Sequence, residues 1–322
     1  MRVLITGGTG FLGAGLARAL MGRERLIGPS GSVEPIDQLV VFDQAAPAEP
    51  VPGVTYVAGD ITSERTLADL FSEGFDSVFH LAAVVSAAAE ADFELGMRVN
   101  FDGTRQLMES MRRRKGATRL VFASSVAVFG GDMPPVIRDD TPATPQSSYG
   151  TQKAMSELLL SDASRRGFLD ARCLRLPTIV VRPGKPNKAA SSFASSIIRE
   201  PLAGQVAVCP VSAETEVWQL SPRKAIDAFI HAHELSASQW GINRVLNLPG
   251  LTATVREMVE ALGRQGGDVG LIRWERDEDI ARIVATWPGR LDARRARGLG
   301  FESDAGIDDI VNAYVEDWGQ GA

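Results

Sequence analysis

The chain has 322 residues, 44% of them hydrophobic and 23% charged, with two cysteines. At roughly 150 residues per domain this length predicts two domains, and the composition excludes wholesale disorder, a collagen-like repeat and a disulfide scaffold. Lys and Arg number 34 against 40 Asp and Glu, a net charge of −6, so no global field draws the chain to nucleic acid.

Arg2–Thr6 is a short apolar, β-branched run and predicts a buried strand. A glycine loop, residues 7–13, follows, then an apolar-periodic helix over 11–21. Further strands are expected at 39–42, 55–58, 77–81 and 120–123, with helices at 66–71 and 92–114 between them. Residues 28–35 read as a loop, and the Ala/Pro-rich 45–52 as an irregular connector. A helix over 149–166 precedes a strand at 171–176 that extends through 179–181. Strands that alternate with helices and are apolar on both faces imply a parallel sheet covered on both sides. The fold class is therefore α/β, a doubly wound Rossmann-like sheet with a smaller C-terminal α/β substrate domain. The expected boundary divides 1–181 from 182–322, with segments near 205–235 returning to the first domain. No signal-peptide pattern and no apolar run of about 20 residues is present, so a cytoplasmic protein off the membrane is expected. The cysteines form no CxxC pair and His231 and His233 have no Cys beside them, so no metal site is expected.

Gly7, Gly10 and Gly13 stand three residues apart between a strand and a helix. Such a turn lets backbone approach a pyrophosphate and aims helix N–H groups at it. Asp43 ends the second strand. A carboxylate there accepts hydrogen bonds from adenosine ribose hydroxyls and repels a 2′-phosphate, which favours NAD over NADP. No Arg or Lys occurs over 44–59, in keeping with that choice. Tyr149 and Lys153 share one helix face at i, i+4. A Lys ammonium beside a Tyr favours phenolate, which makes Tyr149 a candidate general base. Ser124 and Ser125 end the fifth strand.

These motifs, TGGTGFLG at 6–13, Asp43, GDI at 59–61, LAA at 81–83, the strand-end Ser and YGTQK at 149–153, occur in the order found in the extended short-chain dehydrogenase/reductases, which the chain resembles over essentially its whole length. The resemblance implies hydride transfer between a hydroxyl-bearing carbon and NAD without a metal, with Tyr149 as base, Lys153 tuning it and binding the nicotinamide ribose, and Ser125 holding the reacting oxygen. Ser125 is chosen over Ser124 because the family's Ser stands four residues before an aromatic–Gly pair, here Phe129 and Gly130. The family also implies that Asp60 and Ile61 meet the adenine, that Leu81, Ala82 and Ala83 let the cofactor lie on backbone, and that Asn100 supports the site. Phe11, Leu12 and Pro177 complete the expected cofactor set. A homodimer built on helices 92–114 and 149–166 is expected on the same ground.

The downstream motifs depart from the sugar-nucleotide members, with Thr178 where those carry Asn and Pro222, Arg223 and Lys224 where an acidic motif is usual. Arg182, Lys185, Lys188, Arg223 and Arg290 concentrate positive charge after the active helix, and a fixed Arg binds a carboxylate through paired hydrogen bonds. Ser191 and Ser192 are candidate caps of the next helix, whose N-terminus also favours anions. A small sugar acid is therefore the expected substrate, held by Ser86, Ser125, Tyr149, Thr178, Arg182, Ser192 and Arg223. The stretches 175–204, 120–131, SPR at 221–223 and WPGR at 287–290 are similar to bacterial D-erythronate dehydrogenases, which implies oxidation of the C2 hydroxyl of a four-carbon sugar acid to 2-oxo-tetronate. The alternatives are an L-threonine dehydrogenase-like enzyme, a sugar-nucleotide epimerase or dehydratase, and a cofactor-sensing protein that uses the fold without chemistry.

Overall fold

A computed structural model describes residues 1–113, 118–184 and 189–319. Seven parallel strands form the main sheet in the order Val245–Asn247, Asp170–Leu176, Arg119–Ser125, Ser77–His80, Arg2–Thr6, Gln38–Asp43 and Val54–Ala58. This is the doubly wound α/β architecture expected. Alternation within the first strand explains the two covered faces. Val3 and Ile5 pack with Leu16, Leu20 and Phe229 on one side, and Leu4 packs with Leu107 and Leu160 on the other. Strand order reverses between Arg2–Thr6 and Ser77–His80, and a crevice opens outside the carboxyl ends there.

A second core gathers Val180, Phe193, Ile197, Met258, Leu262 and Ile310. Its three-stranded sheet joins Thr178–Ile179, Glu216–Leu220 and Leu251–Thr254. The residues after Leu176 therefore do not prolong the strand as expected. Pro177 intervenes, and Thr178–Ile179 pairs with Glu216–Leu220 instead. The two cores interleave along the chain: helix Pro222–Glu234 packs on helix Phe11–Arg23, and Val245–Asn247 forms the outer strand of the main sheet.

The long helix expected at 92–114 is broken. Ser86–Ala91 and Phe93–Gly96 are separate turns, joined where the Asp92 carboxylate accepts from the Leu95 N–H at 2.9 Å. A π-helical stretch, Met97–Asp102, leads into Gly103–Arg112. The expected C-terminal end of this helix, at 114, lies outside the described residues. Residues 28–35, expected as a loop, form part of a small hairpin of Arg25–Ile27 with Val33–Pro35. No described helix is long and apolar enough to cross a membrane.

Candidate active site

The crevice at the strand-order reversal is a cleft of about 610 Å3. Its floor is the glycine loop. Gly7 has φ of 69°, and a Cβ there would sit 2.5 Å from the Ala82 nitrogen. A Cβ on Gly13 would run into the Gly7 carbonyl. Glycine is required at both positions, one for backbone shape and the other for helix-to-strand approach. The Asp43 carboxylate accepts from the Thr9 N–H at 3.1 Å and the Gln44 N–H at 2.7 Å, which ties the second strand to the loop. Among the described residues, none that lines this end carries a positive charge. Size, glycine cradle and strand-end carboxylate together fit a dinucleotide lacking a 2′-phosphate. Phe11, Leu12, Ile61, Leu81, Ala82, Ala83 and Pro177 all line the cleft, as do Gly10, Tyr149 and Lys153. Asp60 stands beside the wall rather than in it. Its carboxylate accepts from the Thr62 N–H at 2.8 Å, a bond that holds it below the usual carboxylate range.

Asn100 sits on the π-helical stretch, fully buried rather than facing solvent. Its side chain closes a ring with the Val84 backbone, accepting at 2.8 Å and donating at 3.1 Å, and donates to Gln152 at 2.7 Å. It thus fixes the cleft wall to the active helix. Sequence reasoning passed over His80 here. Thr104 donates its hydroxyl to the Asn100 carbonyl at 2.7 Å, so it accepts from His80 Nε2 at 2.9 Å, and Nδ1 accepts from the Thr6 hydroxyl at 2.6 Å. Burial first, then the Lys153 charge, pushes this imidazole down to about 3, so it is neutral. The relay locks Thr6, just before the glycine loop, to Asn100.

Ser124 and Ser125 end the strand Arg119–Ser125, and the pleat sends them to opposite sides. Both line the cleft, but the Ser124 hydroxyl donates to the buried Glu157 carboxylate at 2.5 Å, while Ser125 Oγ accepts from the Ala127 N–H at 3.1 Å and stands with Tyr149 in the smaller pocket as well. Tyr149 and Lys153 lie on helix Ser148–Arg165, whose Ser147 side chain accepts from the Gly150 N–H. Lys153 donates to the Ala123 carbonyl at 2.8 Å, with its ammonium 5.6 Å from the Tyr149 ring centre. Burial lowers Lys153 to about 8, against the pull of Glu157.

At Tyr149 burial dominates and pushes the phenol up to about 12; the opposing pulls come from the Arg182 charge and the Ser125 hydrogen bond. Glu157, two helical turns beyond Tyr149 on the same face, was also missed. It binds Arg175 through both oxygens, at 2.9 and 2.7 Å, and anchors the helix to the neighbouring strand.

A smaller pocket of about 110 Å3 opens beside Tyr149 and Ser125. Ser86, Thr178 and Arg182 line it, as expected. Arg182 is held there: its guanidinium donates to the Ile179 carbonyl at 3.0 Å and the Ser191 hydroxyl at 2.8 Å. Burial lowers it to about 10, against the Tyr149 interaction, and it remains a cation at neutral pH. Two expected contacts fall elsewhere. Ser192 does not line the pocket; the preceding Ser191 does, and it caps no helix N–H because it serves Arg182. Arg223 lies on an exposed face, paired with Asp317 and Glu316, at 2.8 Å each, near the end of the C-terminal helix Ile307–Trp318. Arg290 is likewise exposed and paired with Glu216. Lys185 and Lys188 lie outside the described residues. Trp287, the first residue of the WPGR stretch, also lines the pocket, a role not assigned to its side chain from the sequence.

Among the described residues no group of three or more His, Cys, Asp or Glu is placed to hold a metal. His231 meets the Leu299 carbonyl at 2.7 Å and His233 the Ser77 hydroxyl at 2.6 Å, so both have structural partners.

Comparison with known proteins extends this picture. The family model described as the NAD dependent epimerase/dehydratase family matches residues 3–241. D-erythronate dehydrogenase of Cupriavidus necator is 53% identical over 322 residues, covering 99% of each chain. D-erythronate dehydrogenase of Haemophilus influenzae is 45% identical, covering 98% of this chain and 99% of its own. A crystal structure described as the nucleoside-diphosphate-sugar epimerase from Agrobacterium tumefaciens superimposes with a TM-score of 0.93 at 41% identity, covering 100% of this chain and 95% of that one.

Proposed function

The chain belongs to the NAD dependent epimerase/dehydratase family, and from that premise we propose that it is an NAD-dependent dehydrogenase that oxidises the C2 hydroxyl of D-erythronate to 2-oxo-tetronate. The observation that carries the acid is Arg182, a cation held in a small pocket against Tyr149 and Ser125. Its guanidinium binds the substrate carboxylate, and Thr178, Ser86 and Ser191 meet the hydroxyls. That fixes C2 beside the phenol. Bound NAD supplies the acceptor for the hydride leaving C2. Tyr149 as phenolate takes the hydroxyl proton, and Ser125 hydrogen-bonds the same oxygen. Lys153, anchored on the Ala123 carbonyl, presents its ammonium to the ribose of the cofactor and to Tyr149. Gly7 and Gly10 admit the pyrophosphate, and Asp43 takes the adenosine ribose.

The experiment is NADH formation with D-erythronate, L-threonine and a nucleoside-diphosphate sugar compared side by side. D-Erythronate is expected to reduce NAD at the highest kcat/KM, and comparable turnover of L-threonine would overturn the assignment. A cytoplasmic homodimer is part of this proposal. It is supported by the free, buried Cys173 and Cys209 and by Leu158, 74% exposed on the active helix. Light scattering at micromolar concentration tests the dimer.

A further inference from the structure

Four residues, Val126, Thr178, Ser191 and Trp287, line both the 110 Å3 pocket and a crevice behind it with only about 10 Å3 of free space. Trp287 is by far the largest of them. The crevice is otherwise walled mainly by apolar side chains, among them Phe193, Val217, Trp218 and Val284. At about 110 Å3 the pocket is well under the ~300–1,000 Å3 of pockets for drug-sized molecules. Trp287 is thus the largest side chain shared by the pocket and the crevice.

Its position is fixed by its neighbours. The Trp287 backbone N–H donates to the Val284 carbonyl at 3.0 Å, and the Thr252 hydroxyl donates to the Gly289 carbonyl at 2.8 Å. Arg290 is paired with Glu216 at 2.9 Å, and its carbonyl accepts from the Ile137 N–H at 3.0 Å. A Cβ on Gly289 would lie 2.8 Å from Glu216 Cβ, so the turn is pressed flat on the strand Glu216–Leu220. A wall pinned from several sides can discriminate by size without having to order itself on binding.

We infer that Trp287 sets the length of the acid accepted, closing a pocket for a four-carbon chain and shutting off the apolar crevice behind it. The inference rests on the proposed oxidation of a small hydroxy acid and names the residue that limits it. Shortening Trp287 joins the pocket to the crevice, so the extra room favours chains prolonged by apolar carbons.

The test measures kcat/KM for D-erythronate and for 2-hydroxy acids with one to three additional methylene groups, in the wild type, Trp287→Phe and Trp287→Ala. One methylene in a shaped pocket is worth roughly 10–200-fold in specificity. Trp287→Ala is expected to raise the longer-to-shorter ratio by about tenfold or more, with Trp287→Phe between. A ratio unchanged in both variants, each with wild-type NAD affinity, overturns the inference. If Trp287→Ala does not fold, Trp287→Phe must still move the ratio for the inference to stand. A wild-type enzyme that oxidises none of these acids overturns the activity itself, a result distinct from an unmoved ratio.

Discussion

The cofactor cleft and the substrate pocket meet at Val85, Ser125, Tyr149, Pro177 and Arg182, yet they are assembled differently. The cleft is lined mainly by short runs at consecutive strand ends: the glycine loop, Asp43 and Gln44, Gly59 and Ile61, and residues 81–85. Each strand delivers its loop to the same edge because the sheet is parallel. The pocket instead combines that edge with residues of the second core, Thr178, Arg182, Ser191 and Trp287. The first half needs the sheet to pair correctly; the second also needs the segments around the second core to sit beside it.

The largest effect that could break this division lies at the shared Tyr149. Tyr149→Phe is expected to lower kcat by ~10²–10⁴-fold with NAD affinity nearly intact, as titration of cofactor binding would show. A near-wild-type rate would remove Tyr149 as base. Next come the two serines. Ser125→Ala should cost up to about 10²-fold in kcat, in the range of a lost oxyanion donor. Ser124→Ala should leave kcat close to normal and lower thermal stability, because Glu157 loses a buried partner worth ~1–3 kcal/mol. Equal kinetic losses in the two variants would contradict their opposite orientation.

Arg182→Ala belongs to the substrate half. Loss of hydrogen bonds to a carboxylate, about 1.5–3 kcal/mol, should raise KM for the acid roughly 10–100-fold with KM for NAD little changed. A matching rise in both constants would place Arg182 in the cofactor half.

The pH response separates the halves again. The phenolate is the active form of Tyr149 and its pKa is raised to about 12, so its fraction grows as pH rises toward that value. The ammonium is the binding form of Lys153, lowered to about 8, so it is lost as pH rises through that value. From about pH 7 to 9, kcat at saturating NAD should increase while KM for NAD also increases. Parallel pH profiles for the two would show that one group controls both. The smallest effect is expected at Arg223→Ala, with KM for acids unchanged and stability altered by no more than ~0.5 kcal/mol.

The sequence alone carried the α/β alternation, the glycine cradle, the strand-end Asp43 and the pairing of Tyr149 with Lys153, while the choice of Ser125 came with the family resemblance. The former depend on spacings of a few residues, which helix and strand periods convert into positions without reference to the rest of the chain. Tertiary structure decided which cations face the pocket. Arg182 and Arg223 are equivalent in a count of charges, but one meets Ser191 inside the pocket and the other meets Asp317 on the surface, 94 residues further along the chain. The same holds for Ser191 over Ser192, for burial outweighing charge at Tyr149, and for Trp287 in the pocket wall. Each depends on which distant segment the fold brings alongside, and local periodicity holds no record of that.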